Sequence, residues 1–411
     1  MIVLKGRVID GNGGEPLQDG MVFIENEKIV RVCRQAECEI PLNAQVIEVK
    51  DGTIMPGLID LHVHLALSGD YLKVYQRHPY WMVCTALNDM KKMLNAGFTS
   101  MRECGGMSNY LKKPWEGGEI IGPRIFSSGK CFVQTGGHFD FIKEFPTEYA
   151  SHPERNITSQ IVDGITEVRR ESRRHFREGA DFLKVMVTPG GVSQSNKFHV
   201  QEFCDEEIRT FVEEAERYGT YVTVHAHANE GVKAALRCGV HCIEHGSFAG
   251  EAEIEEMARK GVWYVPTLAT SYRAVENSDK VKPWVVPKMK AVTENCKNAV
   301  QMAHKAGVKI GCGADFGGDE VWPHGLNGLE IKLLHTMGGF TPMEAIVCAT
   351  KTSSEFLLRN DIGTIEEGKL ADVIIVEGNP LENIDLLVGP AHIHTVIQNG
   401  CIRKKDGVSI I

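Results

Sequence analysis

Short β-rich runs alternate with longer helical patterns through the middle of the chain, and this alternation constrains the fold more than any other feature. Eight such units span about 300 of the 411 residues, which favours a parallel sheet built from βα units. They predict an α/β protein with a (β/α)8 TIM barrel, whose active site lies at the carboxyl ends of the strands. A doubly wound open sheet is the alternative, but no Gly-x-Gly-x-x-Gly motif follows a first strand. The predicted strands lie near Ile59–Leu65, Phe98–Glu103, Arg124–Ser128, Phe182–Thr188, Tyr221–Ala226, Cys242–Gly246, Trp263–Leu268 and Lys309–Ala314.

Both ends of the chain have a different pattern, made of short strands punctuated by turn residues. Because the two ends share this style and the middle does not, we predict a small β-sandwich domain formed from both chain termini. Residues 1–55 and 360–411 are assigned to this domain, and residues 56–359 are assigned to the barrel. Two long stretches that follow predicted strands, about 132–158 and 188–203, are expected to shape a substrate pocket.

Composition argues against several classes of protein. The chain has 45 Lys and Arg and 54 Asp and Glu, and it shows no basic stripe, so no nucleic-acid partner is expected. No apolar stretch reaches the roughly 18 residues that a membrane helix needs, and the first residues lack the organisation of a signal peptide. The 12 cysteines, without a Cys-x-x-Cys pair, predict reduced and mostly core thiols of a cytoplasmic protein. Barrels of this type commonly associate, so assembly into a homo-oligomer is left open.

A pair of histidines marks the end of the first predicted strand, in the run Asp60-Leu61-His62-Val63-His64. Side chains two apart on a strand point the same way, so both imidazoles can hold one metal ion. Two histidines satisfied by other partners are the alternative. Further candidate ligands come from other predicted strands, and these are Lys184, His225, His245 and Asp315.

Lys184 lies inside the apolar run of the fourth predicted strand, where an ammonium group is costly to bury. One alternative is a salt-bridged lysine. Beside metal ions, however, the neutral amine can react with CO2 to form a carbamate, an anionic oxygen ligand able to bridge two cations. Imidazoles, a carboxylate and a carbamate would then form a two-metal site suited to zinc. Two ions about 3.5–4 Å apart can share a hydroxide near neutral pH.

The order and spacing of these ligands resemble the amidohydrolase superfamily, in its binuclear form with a carboxylated lysine. The resemblance covers nearly the whole chain, including the segment 363–372. It implies two metal ions with a shared bridge, held by His62, His64 and Asp315 for one ion, by His225 and His245 for the other, and by Lys184 between them. It also implies that Asp315 takes a proton from the bridging hydroxide and passes it to the leaving amine.

Three motifs narrow the resemblance to the branch that holds imidazolonepropionase-like proteins, prolidases and carboxypeptidases. They are the segments 97–103, 135–138 and 323–325. True imidazolonepropionases use one metal ion and lack the lysine of the fourth strand. The presence of Lys184 therefore favours the prolidases and carboxypeptidases of this branch. In that group the histidine of the Gly-Gly-His motif, here His138, polarises the scissile carbonyl, whose oxygen becomes negative in the transition state. A loop-packing histidine is the alternative for His138.

Candidates for substrate contacts are weaker. Relatives that bind a substrate α-carboxylate often carry a tyrosine after the His-Ala-His-Ala motif, and this chain has Asn229 there, which counts against prolidase activity. Tyr272 follows the seventh predicted strand and could meet substrate, or it could start a solvated helix. His324 could contact substrate or orient a loop.

Three more polar residues lie at strand ends. His227 shares a face with His225 and is either adjacent to the metal ligands or a core histidine. Arg102 and Glu103 end the second predicted strand, and we predict that they form a buried ion pair inside the barrel.

These features predict a metal-dependent hydrolase that cleaves an amide bond of a small substrate. A dipeptide, of the Xaa-Pro type or cleaved at its C-terminal residue, or an N-acyl amino acid is the leading candidate. A cyclic amide, a lactone or another ester on the same two-metal site is the alternative. A deaminase is disfavoured because Ala228 stands where deaminases of this superfamily carry a glutamate, and a non-catalytic scaffold is disfavoured because all ligand positions are filled. Zinc is the preferred metal, with manganese and cobalt left open.

Overall fold

The computed structural model of the protein describes residues 1–67, 74, 77–140, 158–192 and 199–410. Parts of both stretches predicted to shape a pocket, 141–157 and 193–198, lie outside the described residues. The strands are β1 (Ile2–Val8), β2 (Leu17–Glu25), β3 (Lys28–Arg34), β4 (Gln45–Pro56), β5 (Leu58–Val63), β6 (Phe98–Glu103), β7 (Arg124–Ser127), β8 (Cys131–Val133), β9 (Ser159–Ile161), β10 (Leu183–Met186), β11 (Val222–Ala226), β12 (Cys242–His245), β13 (Trp263–Val265), β14 (Val373–Glu377), β15 (Ile393–Gln398), β16 (Cys401–Lys405) and β17 (Val408–Ser409).

Most helices follow parallel strands along the chain, as the alternating sequence pattern predicts. They are α1 (Pro79–Asn95), α2 (Lys112–Glu116), α3 (Gly164–Arg177), α4 (Asp205–Arg217), α5 (Asn229–Cys238), α6 (Glu251–Lys260), α7 (Leu268–Glu276), α8 (Val285–Lys305), α9 (Leu329–Thr336), α10 (Pro342–Val347) and α11 (Ser353–Phe356). None of the helices in the described ranges combines the length and the apolar character that crossing a bilayer would require.

Strands from both ends of the chain join in one sheet of eight strands, in the order β17-β16-β15-β14-β4-β1-β2-β3. The two ends meet where β4 pairs with β14 in antiparallel fashion, from Pro56 opposite Val373 to Gly52 opposite Glu377. One face of this sheet buries its own apolar cluster, which includes Leu4, Val22, Ile54, Val373 and Ile397. The sequence predicted a β-sandwich at this place. In the structure, hydrogen bonds link all eight strands into a single sheet.

The central strands are all parallel and form two sheets, β5-β6-β7 and β13-β12-β11-β10-β8-β9. Backbone hydrogen bonds connect the two sheets. Asp181 N donates to Ser127 O at 2.7 Å on one side, and the segment 309–315 lies between β13 and β5 on the other side. In this segment, Cys312 O accepts from Leu61 N at 2.8 Å. The result is a TIM-barrel-like α/β fold in which the carboxyl ends of the parallel strands face the same side.

The eighth predicted strand, Lys309–Ala314, forms a single bridge, from Ile310 to Tyr264, instead of a regular strand. Its glycines explain the difference. A Cβ atom at Gly311 would lie 2.4 Å from a Leu61 methyl carbon, so the segment approaches its neighbours more closely than side chains allow.

The cysteines correct part of the prediction from sequence. Cys33 at the end of β3 and Cys38 in the following turn form a disulfide, so the expectation that all thiols are reduced is wrong. A turn of four residues brings their Cα atoms to 6.5 Å, a distance that sequence spacing alone does not predict. Seven of the ten free cysteines are buried, as expected of core thiols.

Candidate metal centre and active site

A cavity lies at the carboxyl ends of the parallel strands and encloses about 730 Å3, counted with its opening to solvent. All six side chains predicted to bind metal line it, namely His62, His64, Lys184, His225, His245 and Asp315. His138 and His227 line it as well. Side chains from five separate chain segments therefore converge at one place, because each segment ends at the same edge of the fold.

His62, His64 and Asp315 form the first group in this cavity. Asp315 Oδ1 lies 3.4 Å from His62 Nε2 and 3.3 Å from His64 Nε2. Both rings are held through their other nitrogen, since His62 Nδ1 donates to Glu244 Oε2 at 2.7 Å and His64 Nδ1 donates to Gly105 O at 2.9 Å. Each Nε2 atom consequently faces Asp315 with a lone pair, which is the arrangement of metal-binding histidines.

His225, His227 and His245 form the second group, and one ring nitrogen of each lies within 4.8 Å of the others. The ring centroids of His225 and His245 are 4.4 Å apart. His245 Nδ1 lies 2.7 Å from Thr267 Oγ1, and His227 Nδ1 lies 2.9 Å from Ser247 Oγ. His227 therefore lies beside the predicted ligands. The sequence had left open whether it lies there or is a core histidine.

Several buried polar atoms in the cavity have no hydrogen-bond partner among the described residues. They are His62 Nε2, His225 Nε2 and Lys184 Nζ. An unsatisfied buried polar atom costs about 1–3 kcal/mol, so such a cluster needs an explanation. Imidazole nitrogens around the half-buried Asp315 carboxylate fit divalent metal ions, which would satisfy the two histidine atoms together.

Lys184 is fully buried in β10 between apolar neighbours. Because Nζ has no hydrogen-bond partner in the described part of the chain, the salt-bridged alternative finds no support there. A bare buried ammonium group would be costly.

Three strand ends have a left-handed backbone at residues other than glycine: His245 (φ 71°), Thr267 (φ 54°) and Asp315 (φ 55°). This conformation costs free energy and is concentrated at functional sites. Its effect is clear in β12, where a regular strand would turn Glu244 and His245 to opposite faces. Here Glu244 contacts the His62 ring through its carboxylate, and the His245 ring lies 5.2 Å from the same ring. The left-handed backbone at His245 thus allows both side chains to approach the His62 ring, and His245 lines the cavity.

Burial favours the neutral form of several histidines in the site, and Asp315 is held ionised. Burial lowers the pKa of His62 to about 4, and burial also holds the pKa of His138, His225 and His245 well below the ordinary value. Burial raises the pKa of Asp315, but His62 and His64 outweigh that effect and hold it at about 2. Neutral imidazole and ionised carboxylate are the forms that bind metal.

These pKa shifts predict that the metal-free protein loses stability as the pH falls below the ordinary histidine pKa. Burial lowers the pKa of both His62 and His227 from 6.5 to about 4. Between those values the unfolded chain binds protons that the folded protein does not, so stability rises with pH across this window. We expect a change of about 1.4 kcal/mol per pH unit for each such histidine, measured by urea unfolding at several pH values. The slope should be smaller in His227→Gln, and a wild-type free energy of unfolding that is constant across the window would contradict the prediction.

His138 lies in a turn after β8, and its backbone N donates to both carboxylate oxygens of Glu202 at 2.9 Å. The ring is buried against His225, with centroids 4.3 Å apart. Gly190 provides the space, because a Cβ atom there would lie 2.3 Å from His138 Cε1. His138 thus lies directly beside the second group of histidines.

The three weaker substrate candidates do not line the cavity formed by the described residues. Asn229 is the first residue of α5, and Tyr272 packs against the core from α7. His324 is buried, and its Nε2 lies 3.1 Å from His64 O, which fits the orienting role rather than substrate contact.

The predicted ion pair between Arg102 and Glu103 is not formed. Neighbouring strand residues point to opposite faces, so the two side chains take different partners. Glu103 accepts from Leu65 N at 3.0 Å and from Ser108 N at 2.7 Å. Arg102 instead pairs with Glu244, a residue to which the sequence assigned no role.

The sequence model of the Amidohydrolase family matches residues 53–403 of the chain. Ochratoxinase from Aspergillus niger is 32% identical over 428 aligned positions, which cover 99% of this chain and 87% of that protein. Among solved structures, a prolidase complexed with N-methylphosphonate-L-proline has 33% identity and a TM-score of 0.90, covering 98% of this chain and 99% of that one. A Xaa-Pro dipeptidase with methionine bound in its active site has 30% identity and a TM-score of 0.88 at the same coverage. The chain therefore belongs to the amidohydrolase family, as its ligand order predicted, and is a hydrolase acting on amide or peptide bonds.

Proposed function

We propose that the protein is a metal-dependent amidohydrolase that cleaves the amide bond of a dipeptide or an N-acyl amino acid. The observation that carries the proposal is the cluster of buried nitrogen atoms near the ionised Asp315 carboxylate that have no hydrogen-bond partner among the described residues. In this proposal His62, His64 and Asp315 hold one ion, His225 and His245 hold a second, and Lys184 bridges both. The relatives named above act on peptide or related amide bonds, which supports the reaction class.

Zinc is the preferred metal, because imidazole and carboxylate are ligands that suit it. Carboxylation of Lys184 by CO2 would add an oxygen ligand. It would also remove the free-energy cost of a buried ammonium group. Two ions held by these residues would supply a hydroxide nucleophile near neutral pH and would polarise the scissile carbonyl.

Asp315 and His138 are proposed to supply proton transfer and a hydrogen bond to the substrate. Asp315 is ionised and can accept the proton of the attacking water at a carboxylate oxygen, then donate it to the leaving amine. His138 is neutral, so one ring nitrogen can donate a hydrogen bond to the substrate carbonyl oxygen. Its place beside His225 puts this donor next to the proposed reaction centre.

The domain boundaries belong to the same proposal. We assign residues 1–55 and 360–411 to the β-domain and residues 56–359 to the catalytic domain. The pairing of β4 with β14 supports this division.

The direct test combines metal analysis with a substrate library. Purified protein loaded with zinc is assayed against Xaa-Pro dipeptides, Xaa-Arg dipeptides and N-acyl amino acids, and its metal content is measured. We expect about two metal ions per chain and hydrolysis of at least one amide class. A protein that holds no stoichiometric metal, or one that cleaves esters but none of these amides, would overturn the proposal.

His138→Ala should lower kcat by about 100- to 1000-fold, the usual loss when one donor to a developing oxyanion is removed. Metal content should stay at the wild-type value, because His138 is not among the proposed ligands. His175→Ala is the matched control, since His175 is a buried histidine on α3 outside the cavity. If the metal content falls in His138→Ala, then His138 is a ligand and its proposed role is wrong.

A further inference from the structure

Away from the proposed metal ligands, the cavity lining mixes apolar side chains with polar ones such as Thr270 and Asp319. Besides Met186, six apolar side chains contribute to the lining, and these are Leu67, Phe139, Val192, Met289, Val292 and Trp322. They come from loops that follow strands and from α8, and all except the half-buried Val192 are buried. We call these six residues the apolar wall.

The apolar wall directly adjoins the proposed reaction centre. The Phe139 ring lies 5.6 Å from the His64 ring and 5.0 Å from the His138 ring, measured between centroids. On another side, Met289 packs onto the backbone of Gly191, where a Cβ atom would lie 2.7 Å from Met289 Cε. Gly191 follows the residue that makes room for the His138 ring. An amide carbonyl held beside His138 would therefore have apolar surface next to it.

We propose that the apolar wall makes the enzyme selective for amides whose side chain next to the scissile bond is apolar or aromatic. The inference rests on the proposed function and specifies its substrate class. Burying a leucine or phenylalanine side chain against such a surface is favourable, whereas burying an unpaired charge there is costly.

The charges that line the cavity also disfavour substrates with an acidic side chain. The described lining contains two carboxylates, Asp315 and Asp319. Asp319 Oδ1 accepts from the backbone N atoms of Val321 and Trp322, at 3.0 and 2.9 Å, which fixes this carboxylate beside the Trp322 part of the wall. A substrate with an aspartate or glutamate side chain would meet both desolvation and like-charge repulsion.

Binding and turnover of matched ligands test the inference. Zinc-loaded wild-type protein is titrated by calorimetry with N-acetyl-phenylalanine, N-acetyl-leucine, N-acetyl-aspartate and N-acetyl-lysine, and hydrolysis of the same compounds is followed. We expect the two apolar ligands to bind, and to be cleaved in terms of kcat/KM, on the order of 10- to 100-fold better than the charged ones.

The two proposals fail in different ways. If apolar and charged ligands bind equally well, the inference on selectivity is wrong, whatever the rate of hydrolysis. If apolar ligands bind preferentially but no amide is cleaved, the inference stands and the proposed function is wrong.

Variants on α8 locate the selectivity. Met289→Ala should reduce the preference for N-acetyl-phenylalanine over N-acetyl-aspartate by about tenfold, because buried packing surface is lost. Met289→Leu, which keeps volume and apolarity, should retain the preference. Met302→Ala is the control, since Met302 is on the same helix but outside the cavity. An unchanged preference in Met289→Ala, with both other variants folded, would exclude Met289 from the selective surface.

Discussion

Lys184→Ala is expected to abolish both metal binding and amide hydrolysis. Lys184 is the one proposed ligand that would contact both ions, so its loss leaves each ion with imidazole and carboxylate ligands alone. Its Nζ has no hydrogen-bond partner among the described residues, so the substitution removes no hydrogen bond to them. Metal content measured after zinc loading should fall from about two ions per chain, and activity should be lost together with it.

A second variant separates metal binding from folding. Lys184→Met keeps most of the side-chain volume and removes a buried charge, which should leave the metal-free protein as stable as the wild type or more stable by about 1–4 kcal/mol. Lys404→Met is the matched control, because Lys404 is also buried but donates to Pro390 O at 2.7 Å, outside the cavity. We expect that control to lose stability and keep its metal. A Lys184→Ala protein that retains two ions and full activity would refute the bridge.

The cluster of candidate metal ligands could be predicted from sequence because its logic is local. His62 and His64 lie two apart, and each further candidate lies in or directly after a predicted strand with a recognisable apolar pattern. Parallel strands then bring these segments together without any need to know the loops. His138 was predicted in a different way, from the resemblance of its motif, and the structure places it in the same cavity.

Other features could not be predicted because they depend on departures from regular geometry. Alternation along a strand predicts that Glu244 and His245 face opposite ways, and only the left-handed backbone of His245 brings both to His62. Arg102 and Glu103 were paired because they are adjacent, yet adjacency on a strand separates side chains. The disulfide of Cys33 and the irregular eighth segment likewise follow from close approaches in space.

Glu244 is the most consequential residue that the sequence did not reveal. Its Oε2 accepts the hydrogen bond from His62 Nδ1 at 2.7 Å, which fixes the tautomer that presents Nε2 to the cavity. Its Oε1 contacts Arg102 and Thr223, and the Arg102 guanidinium stacks 4.5 Å from the Phe356 ring. Burial raises the pKa of Glu244, but Arg102 and His62 outweigh that effect and hold the pKa well below its usual range. Glu244 therefore carries a negative charge that both orients a proposed ligand and balances a buried cation.

Glu244→Gln should destabilise the metal-free protein by about 3–5 kcal/mol, because Arg102 keeps its charge in a buried site without a counterion. Zinc affinity should fall by about 10- to 100-fold, since a neutral amide orients His62 less strongly and lowers its basicity. Urea unfolding measures the first effect, and competition with a chelator measures the second. Glu214→Gln is the control, because Glu214 is a buried carboxylate that pairs with Arg173 and lies outside the cavity.

The double variant Arg102→Met/Glu244→Gln distinguishes a positioning role from a purely structural one. Removing both charges should restore much of the stability, because a buried pair can often be replaced by neutral groups at little cost. The zinc affinity should remain low, because His62 still lacks its carboxylate partner. Recovery of both stability and zinc affinity in the double variant would show that Glu244 serves only to balance Arg102.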